Sequence, residues 1–248
     1  MSRLVILGTG TGIGKTYVSC ALARALAEVV PTARIRAFKP LESGLGPVGT
    51  SGVVPHDSDS ALLAAASSPP FEPPRPPYWL ASPVSPHLAA RRQGLEIELE
   101  DVRRWCDEVE HGDATLHENE VDISQRSVAF ASLYETAGAV FSPVTERFTN
   151  FDLAKVLGEA LWILVAPDRL GVLHDLRTTL ECMRARGRAP DVILLSQPDP
   201  NDTSAGSNQA ELERLDIAKV DALIRFRGVL ERSAAAAIWA QLSSKSKC

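Results

Sequence analysis

The sequence is poor in several of the features that usually announce a function. Its four cysteines, Cys20, Cys106, Cys182 and Cys248, are scattered over 248 residues with no Cys-x-x-Cys pair. That spacing argues against a zinc ribbon or a disulfide frame and for reduced thiols in a cytoplasmic protein. The five histidines form no His-Glu-x-x-His pattern, so each reads as a surface or supporting residue rather than a metal ligand. No apolar run is long enough to span a bilayer, and the amino terminus enters a strand at once rather than a signal peptide. Basic excess is missing too: 26 Lys and Arg stand against 31 Asp and Glu, a net charge of -5. Neither nucleic acid nor an anionic membrane is therefore an expected partner. A hydrophobic fraction of 45% with 23% charged residues is that of an ordinary soluble globular protein, long enough for one large α/β domain or two small ones.

What the chain does have lies at its start. The apolar run Leu4-Val5-Ile6-Leu7 has strand length and enters Gly8-Thr9-Gly10-Thr11-Gly12-Ile13-Gly14-Lys15-Thr16. An amphipathic helical pattern with Ala21, Leu22, Ala25 and Leu26 on one face follows. Strand, glycine loop and helix in that order are the context of a phosphate-binding loop, whose backbone N–H groups and helix start cradle an anion. In that setting Lys15 supplies a point charge to the β- and γ-phosphates and the Thr16 hydroxyl reaches Mg²⁺. The strict motif wants its first glycine at Thr9, so the spacing here is Gly-x5-Gly-Lys-Thr counted from Gly8. A dinucleotide fingerprint starting at Gly8 and Gly10 fails because Ile13 stands where its third glycine belongs.

Beyond the loop, short apolar runs alternate with helical patterns, which predicts an α/β protein with a mainly parallel sheet between layers of helices. Strands are expected at 34–38, 128–134, 161–166, 191–195 and 219–224. Helices are expected from Asp57 as N-cap, at 86–93 and 98–110, and at 171–187, 203–215 and 229–242. Residues 111–125 read as an exposed acidic loop. Residues 69–86, with eight prolines, read as a rigid surface loop. The expectation is one domain over 1–242 and a disordered tail over 243–248.

Three polar residues fall at predicted element ends. Lys39, followed by Pro40-Leu41-Glu42-Ser43-Gly44, ends the second strand, where open α/β sheets gather ligands. It reads equally as a contact for a second anion or as a solvated lysine before a turn. Asp59 is either a first-turn acid or a magnesium ligand. Glu135, ending a core strand opposite the loop, is either the second anchor for a nucleotide's metal or an acid facing water. Together with Lys15 and Thr16, these residues suit phosphoryl transfer to a negatively charged acceptor.

Several of these segments resemble the dethiobiotin synthase family of the P-loop NTPases. The resemblance rests on Gly8 to Thr16, on Phe38-Lys39-Pro40-Leu41-Glu42-Ser43-Gly44, and on Tyr78 with Pro83-Val84-Ser85-Pro86-His87. Glu135-Thr136-Ala137-Gly138-Ala139 and Asp168-Arg169-Leu170-Gly171 with His174 continue it in order to about residue 215. It implies a homodimeric three-layer P-loop fold. It also implies the ATP-dependent conversion of 7,8-diaminononanoate and CO2 to dethiobiotin, through a carbamate and its mixed anhydride with phosphate. Carried onto this sequence, it makes Lys15, Lys39 and Thr11 catalytic and Ser43 substrate-binding. Gly12, Ile13, Gly14, Lys15, Thr16, Tyr17, Asp59, Glu135, Thr136, Ala137, Gly138, Ser196 and Gln197 become nucleotide contacts, and Thr16, Asp59 and Glu135 hold Mg²⁺. The chain departs from the family at Thr136 and Ala139, where glycines are usual, and at Ser196, where an asparagine for the adenine ring is usual. Leu173 and Ile224-Arg225 also differ from the common pattern. If the positions of Thr136 and Ala139 require positive φ or a close backbone approach to ligand, a β-branched threonine is poorly suited. These departures support a second reading, a non-catalytic nucleotide-binding relative that acts as an interaction module. A partitioning-type ATPase is a third reading, for which the loop lacks an early signature lysine.

Overall fold

A computed structural model describes residues 2–47, 53–118, 129–197 and 199–245. Its centre is a six-stranded sheet built from β1 (Ser2–Gly8), β2 (Arg34–Phe38), β3 (Phe130–Glu135), β4 (Leu161–Pro167), β5 (Val192–Ser196) and β6 (Ala222–Ile224). The order across the sheet is β2-β3-β1-β4-β5-β6, and all five pairings are parallel. The helices are α1 (Lys15–Val29), α2 (Asp59–Ala66), α3 (Pro86–Arg92), α4 (Leu99–Glu118), α5 (Asn150–Val156), α6 (Val172–Ala185), α7 (Asn208–Arg214) and α8 (Arg232–Lys245).

Strand alternation explains the three layers. In β1, Leu4 and Ile6 pack with Val18, Leu22 and Leu26 of α1, Leu63 of α2 and Ile238 of α8. Val5 and Leu7 point to the other face, into a cluster with Val102 and Cys106 of α4, Phe151 of α5 and Leu176 of α6. All four are fully buried, as a strand covered on both faces requires. Because β1 lies between β3 and β4, the chain leaves it toward one edge, through β2, and later crosses to the other. The carboxyl end of such a switch point is where open α/β sheets bind ligands, and there the Gly8–Thr16 loop sits.

Several element bounds differ from the sequence expectation for physical reasons. The N-cap of α2 is Ser58, not Asp57: its hydroxyl accepts from the Ala61 N–H. The helix expected to end at 110 continues to Glu118, because its polar composition is that of a solvated helix face. Arg103 pairs with Glu100 and Asp107, and Arg104 with Asp101, one turn apart on that face. The expected 111–125 loop is thus helical to 118, and the rest of it lies outside the described residues, as does Val128. At the other end α8 runs to Lys245 instead of stopping at 242, anchored by Lys245 Nζ at 2.8 Å from Asp191 Oδ1. Residues 246–248 lie outside the described set. Helix α7 begins at Asn208 rather than 203, because the Asp202 carboxylate accepts from the Ser204 N–H and hydroxyl and holds a turn there. Helix α5 was not anticipated, and the site depends on it.

Candidate functional site

The loop is shaped by small residues. Gly12 and Gly14 take φ of 69° and 87°, which glycine adopts without strain. A Cβ on Gly8 would stand 2.9 Å from both Ile13 Cδ1 and Lys15 Cδ, so only glycine lets the lysine stem lie across the loop. Gly14 precedes α1 and no side chain caps the helix, which leaves its first N–H groups turned to the loop's concave side. Lys15 Nζ donates to Gly10 O at 3.0 Å. Burial pushes the Lys15 ammonium down to about 8, with Glu135 opposing that shift and Lys39 adding to it.

Beside the loop, the strand ends bring the charged residues together. Lys39 follows β2, Glu135 ends β3, and Asp59 begins α2. Lys39 Nζ is 3.0 Å from Glu135 Oε1 and also contacts Asp59 Oδ2. Glu135 is 1% exposed, and the Lys39 side chain 9%. Both solvent-facing alternatives, the solvated lysine and the acid facing water, are thereby overturned. Thr16 Oγ1 donates to Glu135 Oε1 at 2.9 Å, which places the loop's hydroxyl on the same carboxylate. Burial alone would depress the Lys39 ammonium. Glu135 and Asp59 outweigh it and hold that group above the ordinary lysine range.

The other predicted residues divide. Thr11 is exposed, and its hydroxyl oxygen would be 3.5 Å from a Cβ on Gly138, so loop and acid turn face each other. Ile13 is 2% exposed with its side chain in the core, so it can offer a ligand only its backbone. Ser43 is half-buried and its backbone bridges Leu80, which ties it to the proline-rich segment and not to the charged cluster. The Tyr17 hydroxyl donates to Gly228 O, linking the first turn of α1 to the segment after β6. Ser196 is buried under the loop: its Oγ would stand 2.7 Å from a Cβ on Gly14. Gln197 Oε1 accepts from the Phe226 N–H at 3.3 Å.

At Thr136 the concern about positive φ is overturned. Among the described residues only Asp216 and Arg227 are non-glycines with positive φ, and the left-handed step of this turn falls on Gly138, φ 85°. Thr136 donates both its N–H and its hydroxyl to Ile6 O, at 3.0 and 2.8 Å, so its side chain fastens β3 to β1.

Four supporting residues escaped the sequence reading. Ser19, one helical turn beyond Thr16 and fully buried, donates to Glu135 Oε2 at 2.9 Å; its spacing from Thr16 was the available signal. Asn150 starts α5 and donates to Ala137 O at 2.6 Å and Ala139 O at 2.8 Å, bracing the acid turn. Glu42 accepts from the Asp59 N–H at 2.6 Å. Thr9 Oγ1 is buried and has no hydrogen-bond partner among the described residues.

The donor set fits a hard divalent cation. Two carboxylates and a hydroxyl converge, all oxygen donors, and the Lys39 ammonium already holds positive charge between the carboxylates. Among the described residues no group of three or more His, Cys, Asp or Glu could hold a metal ion, so the protein offers only two carboxylates and the hydroxyl. An open set suits Mg²⁺, which keeps waters and substrate phosphates in its shell.

Loop, switch point and paired lysines and acids define a P-loop nucleotide-binding protein of the three-layer α/β class. A family model described as an AAA domain matches residues 2–232. The ATP-dependent dethiobiotin synthetase BioD of Caulobacter vibrioides is 36% identical over 204 residues, covering 79% of this chain and 80% of that protein. The protein of the same name from Anaeromyxobacter sp. strain K is 34% identical over 241 residues, 94% of each chain. The chain belongs to the dethiobiotin synthetase family. Among solved structures, a ParA family ATPase from Chlorobium tepidum TLS overlays with a TM-score of 0.47 at 13% identity, over 98% of this chain and 88% of that one. Family membership rests on the sequence relatives. No helix among the described residues is long and apolar enough to cross a membrane.

Proposed function

We propose that this protein uses ATP to close 7,8-diaminononanoate and CO2 into dethiobiotin, as a homodimeric cytoplasmic enzyme with a single catalytic domain that ends with α8. The observation that carries this reading is the meeting of Lys15, Thr16, Lys39, Asp59 and Glu135 over one phosphate loop, in a chain of this family.

The chemistry follows from charge. One substrate amine adds to CO2 and loses a proton, giving a carbamate anion. A carbamate oxygen attacks the γ-phosphorus, and the bond to the ADP oxygen breaks. The second amine then attacks the carbamate carbon, expels inorganic phosphate and closes the ureido ring. Two anions must approach in the middle step, and Lys15 and Lys39 are the cations at hand to offset their repulsion. Lys15 fits the β- and γ-phosphate oxygens along the loop. Lys39, at the strand end, fits the carbamate side. Thr11, exposed and facing Gly138, suits a hydrogen bond that orients the incoming carbamate, and Ser43 suits the substrate amine end. Thr16, Asp59 and Glu135 would hold Mg²⁺, which when bound neutralises phosphate charge during transfer.

The test supplies purified protein with diaminononanoate, labelled bicarbonate, Mg²⁺ and each nucleoside triphosphate in turn. Labelled dethiobiotin from wild type, lost in Lys15→Ala and Lys39→Ala, supports the reading, and the four rates name the preferred base. Nucleotide binding without product from any nucleotide contradicts it and favours the interaction-module reading.

A further inference from the structure

Glu42 belongs to the segment that carries Lys39, yet neither the phosphate loop nor the proposed chemistry uses it. It is 6% exposed. Its Oε1 accepts from the Asp59 N–H at 2.6 Å, and its Oε2 from the Ser60 N–H at 3.0 Å and from the Ser60 hydroxyl. The other two unpaired donors of this helix start are also engaged: Ala61 donates to Ser58 Oγ and the Ser58 N–H to Pro55 O. All four orphan donors at this helix start are therefore satisfied from within the protein. The positive end of α2 is closed to an incoming phosphate, and its role is mechanical.

What it fixes is Asp59. The Asp59 side chain is 36% exposed and its one partner among the described residues is Lys39. Any ligand that draws Lys39 toward itself takes that partner away. The grip of Glu42 on the Asp59 backbone does not depend on Lys39, so the carboxylate keeps its place after the lysine moves. We infer that Glu42 is a positioning residue. By bridging the Lys39 segment to the first turn of α2, it holds Asp59 at the distance from Glu135 and Thr16 that a divalent cation needs. This inference rests on the nucleotide-and-metal reading proposed above. Partners of this kind, behind the groups that touch a metal, typically change metal affinity by about 10- to 100-fold.

The test titrates Mn²⁺ into the full chain in the presence of a non-hydrolysable ATP analogue, with bound metal read by electron paramagnetic resonance. Wild type binds the ion, and Asp59→Asn weakens it. Glu42→Ala is expected to weaken it by about 10-fold or more, and Glu42→Gln, which keeps one acceptor oxygen, by less. Ser58→Ala is the control, because it removes a cap from the same helix and leaves the Glu42–Asp59 bond intact. It should lower the melting temperature about as much as Glu42→Ala does, yet leave Mn²⁺ affinity within about twofold of wild type. Wild-type affinity in Glu42→Ala, or an equal loss in Ser58→Ala, overturns the inference while leaving the functional reading intact. No Mn²⁺ binding by wild type overturns the functional reading and the inference with it.

Discussion

Near the start of β1, Arg3 lies between Asp107 and Glu110; beyond the ends of β2 and β3, Lys39 lies between Asp59 and Glu135. The arrangements match in charge and differ in completeness. Arg3 forks onto both oxygens of Glu110, reaches Asp107 and donates to Leu157 O at 2.8 Å. Glu110 also accepts from the Tyr134 hydroxyl, and the second oxygen of Asp107 takes Arg103. Burial alone would lower the Arg3 pKa, but these carboxylates outweigh it and raise it. Here a planar guanidinium uses its fixed fork to pin α4 to the sheet. Lys39 is a point charge on a flexible stem, with two acid contacts and no fork. It can turn away and leave an oxygen-lined gap, which arginine in its place could not do as readily. One cluster is closed by a fork, and the other is where, on the proposed function, a bound cation would meet the two acids in place of the lysine.

Breaking the closed cluster should have the largest effect on stability. Glu110→Ala takes from Arg3 its most buried carboxylate and leaves it Asp107 and Leu157 O, and denaturant unfolding should show a loss of about 3 kcal/mol, with turnover per folded molecule unchanged. Lys39→Ala should show the reverse. Turnover falls by about 10²- to 10³-fold in the labelled-bicarbonate assay, while thermal stability, lowered by the two facing acids, recovers when Mg²⁺ is added. Arg3→Lys keeps the charge and removes the fork, for an expected loss of about 1–2 kcal/mol by denaturant unfolding. The smallest effect is expected at a third, more open cluster, where Arg188 and Lys245 flank Asp191 with side chains about one-third exposed. Lys245→Ala should cost less than about 1 kcal/mol and be screened by salt. Burial opposes ionisation of Asp191, but Lys245, the Trp162 N–H and Arg188 hold its pKa below the usual range. A depressed acid stabilises the fold above its unfolded pKa and loses that contribution as pH falls through the folded one. The Lys245→Ala deficit should therefore shrink on acidification below about pH 4, as thermal melts across pH would show.

The contrast also explains what the sequence could and could not reveal. The phosphate loop was legible because its parts are adjacent in the chain and glycine, lysine and threonine have little else to do in that order. Lys39 and Glu135 were legible because both follow strands, and the ends of parallel strands share one edge. Asp59 is ambiguous in sequence, since a first-turn acid and a metal ligand look alike without their neighbours. Arg3 and Glu110 are 107 residues apart, so nothing local announced them. Glu42 stands in a legible motif, but its partners lie 17 and 18 residues on, and apart from the Ser60 hydroxyl they are backbone N–H groups, which carry no side-chain signature. Helix α4 was cut short because a charged, solvated helix and an acidic loop have the same composition. At Thr136 the sequence does not show that the turn's demand for positive φ falls two residues later, on Gly138.

In the proposed function the loop and Lys39 bring a carbamate oxygen onto the γ-phosphorus. The most direct measurement follows that oxygen. Reaction over short times with ¹⁸O-labelled bicarbonate, diaminononanoate, ATP and Mg²⁺ should release phosphate carrying one bicarbonate-derived oxygen, because ring closure breaks the carbon–oxygen bond and leaves the oxygen on phosphorus. Phosphate whose new oxygen comes only from solvent water would mean simple nucleotide hydrolysis, and would contradict the account at its centre.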